Sequence, residues 1–143
     1  MSDDLDDVWR WRQQSTDSRQ LAVMGFCFGG GKAIRYTTSR QPSASTIICY
    51  GSPVLEVDEL KKLKAGVCGV FGATDVQFPM PVLDSFRSAL DRAGVASDIR
   101  VYDNVGHAFL KTMNEIRAGK QPQLDAWTQC TQFIRAEWGV DGG

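Results

Sequence analysis

The segment LAVMGFCFGGGKAI, residues 21–34, carries the strongest structural signal in this chain of 143 residues. An apolar run ends at a cysteine, a cluster of glycines follows, and a helix-like segment comes next. The pattern G-x-C-x-G around Cys27 has the form of a nucleophile elbow, a sharp strand-to-helix turn that exposes the nucleophile. Gly25 and Gly29 carry no side chains that would crowd this turn. A buried cysteine in a glycine-rich turn has the same pattern, so other residues must decide between the two interpretations.

Composition and charge indicate one globular domain spanning residues 1–143. Hydrophobic residues make up 43% and charged residues 23% of the chain, as is usual for a soluble protein. The formal net charge is −1 and there is no long basic run, which argues against nucleic acid or an anionic membrane as a partner. The N-terminus MSDDLDDVWRW is acidic and amphipathic and does not have the form of a signal peptide, so the expected compartment is the cytoplasm.

The cysteines and the single histidine give no sign of a metal site. Cys27, Cys49, Cys68 and Cys130 are far apart in sequence, and no pair has the spacing of metal ligands. In a reducing compartment they are expected to be free thiols.

Hydrophobic periodicity predicts an alternation of strands and helices. Buried strands are expected at residues 21–26, 45–50, 67–71 and 98–102. Helices are expected at residues 3–14, 29–39, 80–93 and 122–138, with a short charged helix or turn at 56–64. Such alternation predicts a parallel sheet of about four strands with helices on both faces, in which chemistry collects at the carboxyl ends of the strands.

Two further candidates for catalysis follow the third and fourth predicted strands. Asp75 lies in the segment Gly72-Ala73-Thr74-Asp75, and the only histidine, His107, lies just beyond residue 102. Taken alone, an aspartate at such a position is typical of a turn. A lone histidine in a loop is usually a polar side chain whose hydrogen bonds are satisfied, without a catalytic role. Together with Cys27 they favour a triad in which His107 takes the thiol proton and Asp75 fixes the imidazole tautomer.

These residues occur in motifs that resemble the dienelactone hydrolase family, a cysteine-nucleophile branch of the α/β-hydrolases. The matching motifs are GFCFGG around Cys27, CYG at residues 49–51, FGATDVQFP around Asp75 and GHAF around His107. The resemblance implies that Cys27 is the nucleophile, Asp75 the triad acid and His107 the base. It further implies that the Phe28 backbone N–H helps to bind the oxyanion. The family hydrolyses enol lactones and needs neither a metal nor an organic cofactor.

The chain departs from the family pattern at its front. By this resemblance, the first strands and helices are absent, and with them a second oxyanion donor, a glutamate beside the resting cysteine and one arginine that clamps the substrate carboxylate. Lys111 stands where the family has a second clamp arginine, and it keeps the charge without the bidentate fork; an exposed lysine with no role is the alternative. The predicted fold is therefore an incomplete α/β-hydrolase fold.

In the family's strand order the missing strands would pair beside residues 21–26, so the resemblance implies that this strand forms a bare apolar edge. A helix that in the family packs beside the C-terminal helix is missing too, so an apolar strip of that sheet face is expected to be exposed. We therefore expect a homodimer that covers the edge or that face.

The sequence leaves several functions open. The leading hypothesis is a hydrolase of a small ester or lactone that forms an acyl-cysteine intermediate. A thioesterase or general carboxylesterase would use the same triad. A shortened, non-catalytic fold that serves as a binding or oligomerisation module is a second class, and the C-terminal part of a split or truncated gene is a third possibility.

Overall fold

The computed structural model describes residues 2–15 and 20–139 of the chain. Strands and helices alternate as the periodicity predicts, with most boundaries within two residues of expectation. The elements are α1 Ser2–Ser15, β1 Ala22–Phe26, α2 Phe28–Arg40, β2 Ser45–Cys49, α3 Val57–Leu60, β3 Val67–Gly72, α4 Met80–Ala93, β4 Ser97–Tyr102, α5 Met113–Arg117 and α6 Gln123–Glu137.

The four strands form one parallel sheet in the order β1-β2-β3-β4. Phe26 at the end of β1 is level with Cys49 at the end of β2, and Cys49 is level with Val70 of β3. Because every strand runs in the same direction, the segments that follow the strands meet at one end of the sheet. The predicted architecture of four parallel strands with helices around them is confirmed.

Helices cover both faces of the sheet. On one face, α2, α3 and α4 bury side chains such as Ile34, Leu60 and Phe86 in a shared apolar cluster. On the other face, α5 and α6 contribute Ile116 and Cys130 to a second cluster. Every residue of β2 and β3 is buried, as expected for central strands of a parallel sheet covered on both sides.

Helix α5 was not expected from the sequence. The hydroxyl of Thr112 accepts a hydrogen bond from the Glu115 backbone N–H at 3.3 Å and so caps the first turn. Threonine followed three residues later by glutamate is the signature of a capping box, and this signal could have predicted the helix.

The cysteines that are far apart in sequence converge on one face of the sheet. Cys49, Cys68 and Cys130 are buried in the second cluster and Cys27 packs against it, all as free thiols. Hydrogen bonding to Cys130, together with burial, raises the pKa of the Cys49 and Cys68 thiols. These two groups therefore remain protonated at neutral pH and act as core packing.

Strand β1 lies at the edge of the sheet, as expected. The edge is less bare than predicted, because Leu5, Val8 and Trp9 of α1 line a groove together with residues 21–24. The strip on the adjoining face is also partly covered: Ala22 and Met24 are half-buried against the second cluster, and Phe26 is exposed.

Candidate active site

Cys27 lies in a strained turn between β1 and α2. Its backbone has φ 52° and ψ −124°, a combination that non-glycine residues rarely adopt. The turn is held by a hydrogen bond from the Cys27 N–H to the Cys49 carbonyl at 3.0 Å and by another from the Gly30 N–H to the Cys27 carbonyl at 3.0 Å. This is the geometry that a nucleophile elbow requires, since it lifts the side chain above the carboxyl end of the sheet.

The glycines around the elbow have unequal roles. A Cβ added at Gly25 would lie 2.0 Å from the Gly29 carbonyl oxygen, so position 25 has no room for a side chain. A Cβ added at Gly29 would meet nothing within 4 Å, and the expectation that Gly29 also needs clearance is wrong. The reason is that the backbone of Gly29, and not a side chain at that position, occupies the space beside Gly25.

Asp75 and His107 are in direct contact, as the triad hypothesis expects. His107 Nδ1 lies 2.8 Å from Asp75 Oδ2, and the Asp75 side chain is almost fully buried. The second carboxylate oxygen, Oδ1, accepts the Gln77 backbone N–H at 2.9 Å. Both carboxylate oxygens of Asp75 therefore have partners, which fixes the carboxylate in place. Since Asp75 holds the imidazole through Nδ1, Nε2 is the ring nitrogen that remains available for proton transfer.

The loops that carry Asp75 and His107 are tied to each other by backbone contacts. The Thr74 N–H donates to the Val105 carbonyl at 3.0 Å, and a Cβ added at Gly72 would lie 2.4 Å from the same carbonyl oxygen. This close approach explains why a glycine ends β3, just before the aspartate.

Tyr50 lies beside the candidate catalytic residues, a position that the CYG motif at residues 49–51 does not by itself indicate. Its ring meets the His107 ring edge-on at a centroid distance of 5.4 Å, and its hydroxyl donates to the Leu110 carbonyl at 3.0 Å. Burial, with smaller effects from Cys49 and Cys27, raises the pKa of Tyr50. Tyr50 is therefore a neutral aromatic wall beside His107, and it belongs to the apolar cluster against which Cys27 packs.

Cys27 and His107 lie at the same end of the sheet but are not hydrogen-bonded to each other within the described part of the chain. The Cys27 side chain is half-buried and packs against the cluster that contains Cys49. Catalytic hydrogen bonds are often long or misaligned before substrate binds. The structure thus joins Asp75 to His107, and places Cys27 nearby on the elbow.

Phe28 and Lys111, the two expected substrate-binding residues, both lie at this end of the sheet. Phe28 is the first residue of α2, where helical geometry leaves backbone N–H groups without intrahelical partners. Its side chain is exposed, and Lys32 Nζ lies 4.9 Å from the ring centroid. Lys111 is also exposed and borders a cavity of about 330 Å³. The other residues that line this cavity are Phe26, Tyr50, Leu110, Thr112, Met113, Ile116 and Trp127.

Backbone strain is concentrated around these residues. Five described non-glycine residues have positive φ values. Four of them, Cys27, Tyr50, Asn104 and Ala108, follow strands at the carboxyl end of the sheet, and the fifth, Gln41, ends α2. Such conformations persist only where the surrounding structure imposes them, and they cluster at functional sites.

Two general properties of the described residues bear on the site. No three histidine, cysteine, aspartate or glutamate side chains within residues 2–15 and 20–139 are grouped as metal ligands would be. None of the helices in these ranges combines the length and apolar character that crossing a membrane requires.

Comparisons with known proteins agree with the geometry. The model of the dienelactone hydrolase family matches residues 1–138. A Salmonella typhimurium protein named "Putative carboxymethylenebutenolidase" is 32% identical, and the match covers 97% of this chain and 55% of that relative. A carboxymethylenebutenolidase from Rhodococcus opacus is 28% identical over 91% of this chain and 56% of its own length.

A solved structure shows the same relationship. The crystal structure of a Klebsiella pneumoniae protein described as a "Putative Dienelactone Hydrolase" has a TM-score of 0.76 and 29% sequence identity. The match covers 92% of this chain and 58% of that protein, so the chain spans little more than half the length of these relatives. The chain belongs to the dienelactone hydrolase family.

Proposed function

We propose that this chain hydrolyses a small ester or lactone through Cys27, His107 and Asp75. The observation that supports this most strongly is the 2.8 Å contact between His107 Nδ1 and the buried carboxylate of Asp75, at the end of the sheet where the Cys27 elbow lies. An oriented imidazole beside a cysteine on a helix N-terminus is the arrangement that thiol acyl transfer needs.

In the first half of the proposed reaction, His107 Nε2 takes the proton of the Cys27 thiol. The sulfur attacks the carbonyl carbon, the carbonyl π electrons move to oxygen, and the Phe28 N–H donates a hydrogen bond to the resulting oxyanion. When the carbonyl re-forms, the C–O bond to the alkoxy group breaks and His107 gives its proton to the leaving oxygen. Asp75 accepts the Nδ1–H throughout and stabilises the imidazolium.

In the second half, His107 takes a proton from water and the resulting hydroxide attacks the acyl carbon of the thioester. The C–S bond then breaks, His107 returns the proton to the departing Cys27 sulfur, and the carboxylic acid is released. Loss of one oxyanion donor lowers rates by about 10²- to 10³-fold, so a site with Phe28 N–H alone is expected to turn over slowly. Lys111 would attract an anionic substituent of the substrate as a point charge.

The test is hydrolysis of p-nitrophenyl acetate and of a dienelactone by the wild type, Cys27→Ala and Cys27→Ser. We expect Cys27→Ala to abolish turnover and mass spectrometry of the wild type to show an acyl group on Cys27. Cys130→Ala is the matched control, because Cys130 is a buried cysteine of the same cluster but belongs to α6 and not to the elbow. Equal turnover by the wild type and Cys27→Ala would refute the proposal.

Two other functions would use the same site or the same fold. A thioesterase would use the same three residues, and thioester substrates in the same assay distinguish it. A non-catalytic module is favoured by the missing hydrogen bond between Cys27 and His107 in the described residues. In that case iodoacetamide would label Cys27 at neutral pH no faster than an ordinary thiol.

Self-association through β1 is the proposed interaction with a partner, and the two edges of the sheet give the reason. At the β4 edge, Arg87 Nη2 donates to the outward-facing Ile99 carbonyl at 2.9 Å, and Asp98 pairs with Arg100 at 2.9 Å. Charges of this kind discourage edge-to-edge pairing. Strand β1, with the sequence AVMGF, carries none, so a second copy of the chain is the partner that this edge suits.

A further inference from the structure

We infer that the cavity lined by Phe26, Tyr50, Met113, Ile116 and Trp127 is an acyl pocket, and that the substrate is an ester with an apolar acyl group. This inference rests on the proposed hydrolysis at Cys27. It adds a substrate class that the triad itself does not specify, because the same triad would accept acetyl and much larger groups.

The cavity shares two walls with the candidate catalytic residues. Phe26 directly precedes Cys27, and its ring lies 6.2 Å from that of Tyr50. Tyr50 in turn meets the His107 ring at 5.4 Å. Cys27 and His107 do not line the cavity themselves, and the rings of Phe26 and Tyr50 are the part of its wall that is next to them.

The remaining walls are apolar. Met113 and Ile116 come from α5 and Trp127 from α6, while Lys111 and Thr112 are the polar residues at the cavity. The volume is about 330 Å³. The cavity is open to solvent, and its volume is about twice that of an enclosed apolar cavity of about 150 Å³ that holds benzene, so it has room for a hexanoyl chain or a substituted ring.

The part of the substrate that suits this cavity is the acyl part. During the proposed reaction the alcohol takes a proton from His107 and departs, whereas the acyl group stays on Cys27 until water reaches it. Side chains of α5 and α6 line the cavity, and an apolar acyl chain could stay in contact with them until deacylation. Full burial of a methylene would improve the specificity constant about fourfold, and partial burial in this open cavity is expected to improve it about two- to threefold per methylene.

The test compares p-nitrophenyl acetate, butyrate and hexanoate, which differ only in the acyl group. We expect kcat/KM to rise by about 10- to 100-fold from acetate to hexanoate in the wild type. Met113→Trp replaces a flexible side chain at the cavity with a bulkier indole ring. It should reduce the ratio of kcat/KM for hexanoate to kcat/KM for acetate by at least about fivefold. Met80→Trp is the matched control, because Met80 and Met113 are both 43% exposed and Met80 does not line the cavity.

A second readout does not depend on turnover. Hexanoate is expected to slow the alkylation of Cys27 by iodoacetamide several-fold, whereas the same concentration of acetate has no effect, and Met113→Trp should remove this protection. Equal kcat/KM for all three esters, with no protection by hexanoate, would overturn the inference. Protection by hexanoate without turnover of any ester would support the pocket and contradict the proposed hydrolase function.

Discussion

At the scale of single residues, the elbow depends on one glycine and one strained cysteine. Cys27 has a strained φ of 52°. The Gly29 carbonyl oxygen fills the space where a side chain at position 25 would lie, since a Cβ at Gly25 would approach it to 2.0 Å. Backbone atoms cannot rotate away as the end of a flexible side chain can. In the pattern G-x-C-x-G, the first glycine is therefore a steric requirement. The second lies in the first turn of α2, where a Cβ would meet nothing within 4 Å.

A pair of glycine substitutions tests this difference. Gly25→Ala should lower the free energy of unfolding by at least about 3 kcal/mol or prevent folding, because the clash is with backbone. Gly29→Ala has open space in the first turn of α2 and should be neutral or stabilising by up to about 1 kcal/mol. Urea unfolding followed by circular dichroism measures both, and equal losses in the two variants would contradict the steric account.

The Asp75–His107 contact leads to a prediction about catalysis. Asp75→Asn keeps the side-chain size but removes the charge that orients the imidazole, so kcat should fall by about 10³- to 10⁴-fold. Asp103→Asn is the control, since Asp103 is an exposed aspartate in the loop that follows the same strand as His107. Stopped-flow or steady-state assays with p-nitrophenyl acetate measure the effect. A kcat for Asp75→Asn equal to that of the control would exclude the proposed role.

At the scale of elements, α1 is held to the domain by a small polar network. The Tyr36 hydroxyl donates to Asp6 Oδ1 at 3.0 Å, and Arg40 pairs with Asp6 at 3.1 Å and with Asp3 at 3.2 Å. Because the Arg40 ion pairs are exposed, they contribute little. The buried ring of Tyr36 and its hydrogen bond are therefore the main polar link between α1 and α2.

The alkaline pH dependence of stability should report on this link. Burial and the hydrogen bond to Asp6 raise the pKa of Tyr36 from 10.0 to about 12 in the folded protein. Between these values the folded state holds more protons than the unfolded state, so this contribution is complete below pH 10 and is lost as pH rises through 12.

Tyr36→Phe removes both the hydrogen bond and the titration. Its free energy of unfolding should be about 1 to 2 kcal/mol lower at pH 8 and should fall less steeply above pH 10 than that of the wild type. Urea titrations at a series of pH values measure this. Parallel pH profiles for the two proteins would show that Tyr36 does not titrate as described.

At the scale of the whole molecule, the two edges of the sheet differ in how they discourage pairing. Arg87 donates a hydrogen bond to an outward-facing carbonyl of β4, whereas β1 has an apolar sequence and α1 lies beside part of it. The Leu21 carbonyl and the Cys27 N–H face β2, so the alternate residues Ala22, Met24 and Phe26 direct their backbone groups outward. These groups are those that a second copy would pair with.

Proline substitutions at the two edges test self-association. Ala22→Pro removes an outward-facing N–H at the first residue of β1 without breaking the ladder to β2, and should convert a dimer to a monomer. Ser97→Pro makes the same change at the first residue of β4 and should leave the oligomeric state unaltered. Size-exclusion chromatography with light scattering gives the masses, and a stable monomeric wild type would refute dimerisation.

Much of the fold and the candidate site could be predicted from sequence because their signals are local. The apolar run before Cys27, the Pro and Gly residues that end helices, and the positions of Asp75 and His107 just after strands all lie within single segments. Helix α5 could have been predicted too, since Thr112 and Glu115 form a capping box.

What the sequence by itself determined is the parallel α/β architecture, the elbow at Cys27 and the pairing of Asp75 with His107, since each follows from strand order and residue type. Only the tertiary structure decided that four distant cysteines share one sheet face, and that the ring of Tyr50 lies against His107. It also decided that α5 and α6 line an open, largely apolar cavity at the same end of the sheet. The reason is physical: these features are contacts between segments far apart in the chain, and their side chains meet only after the sheet and its covering helices have packed.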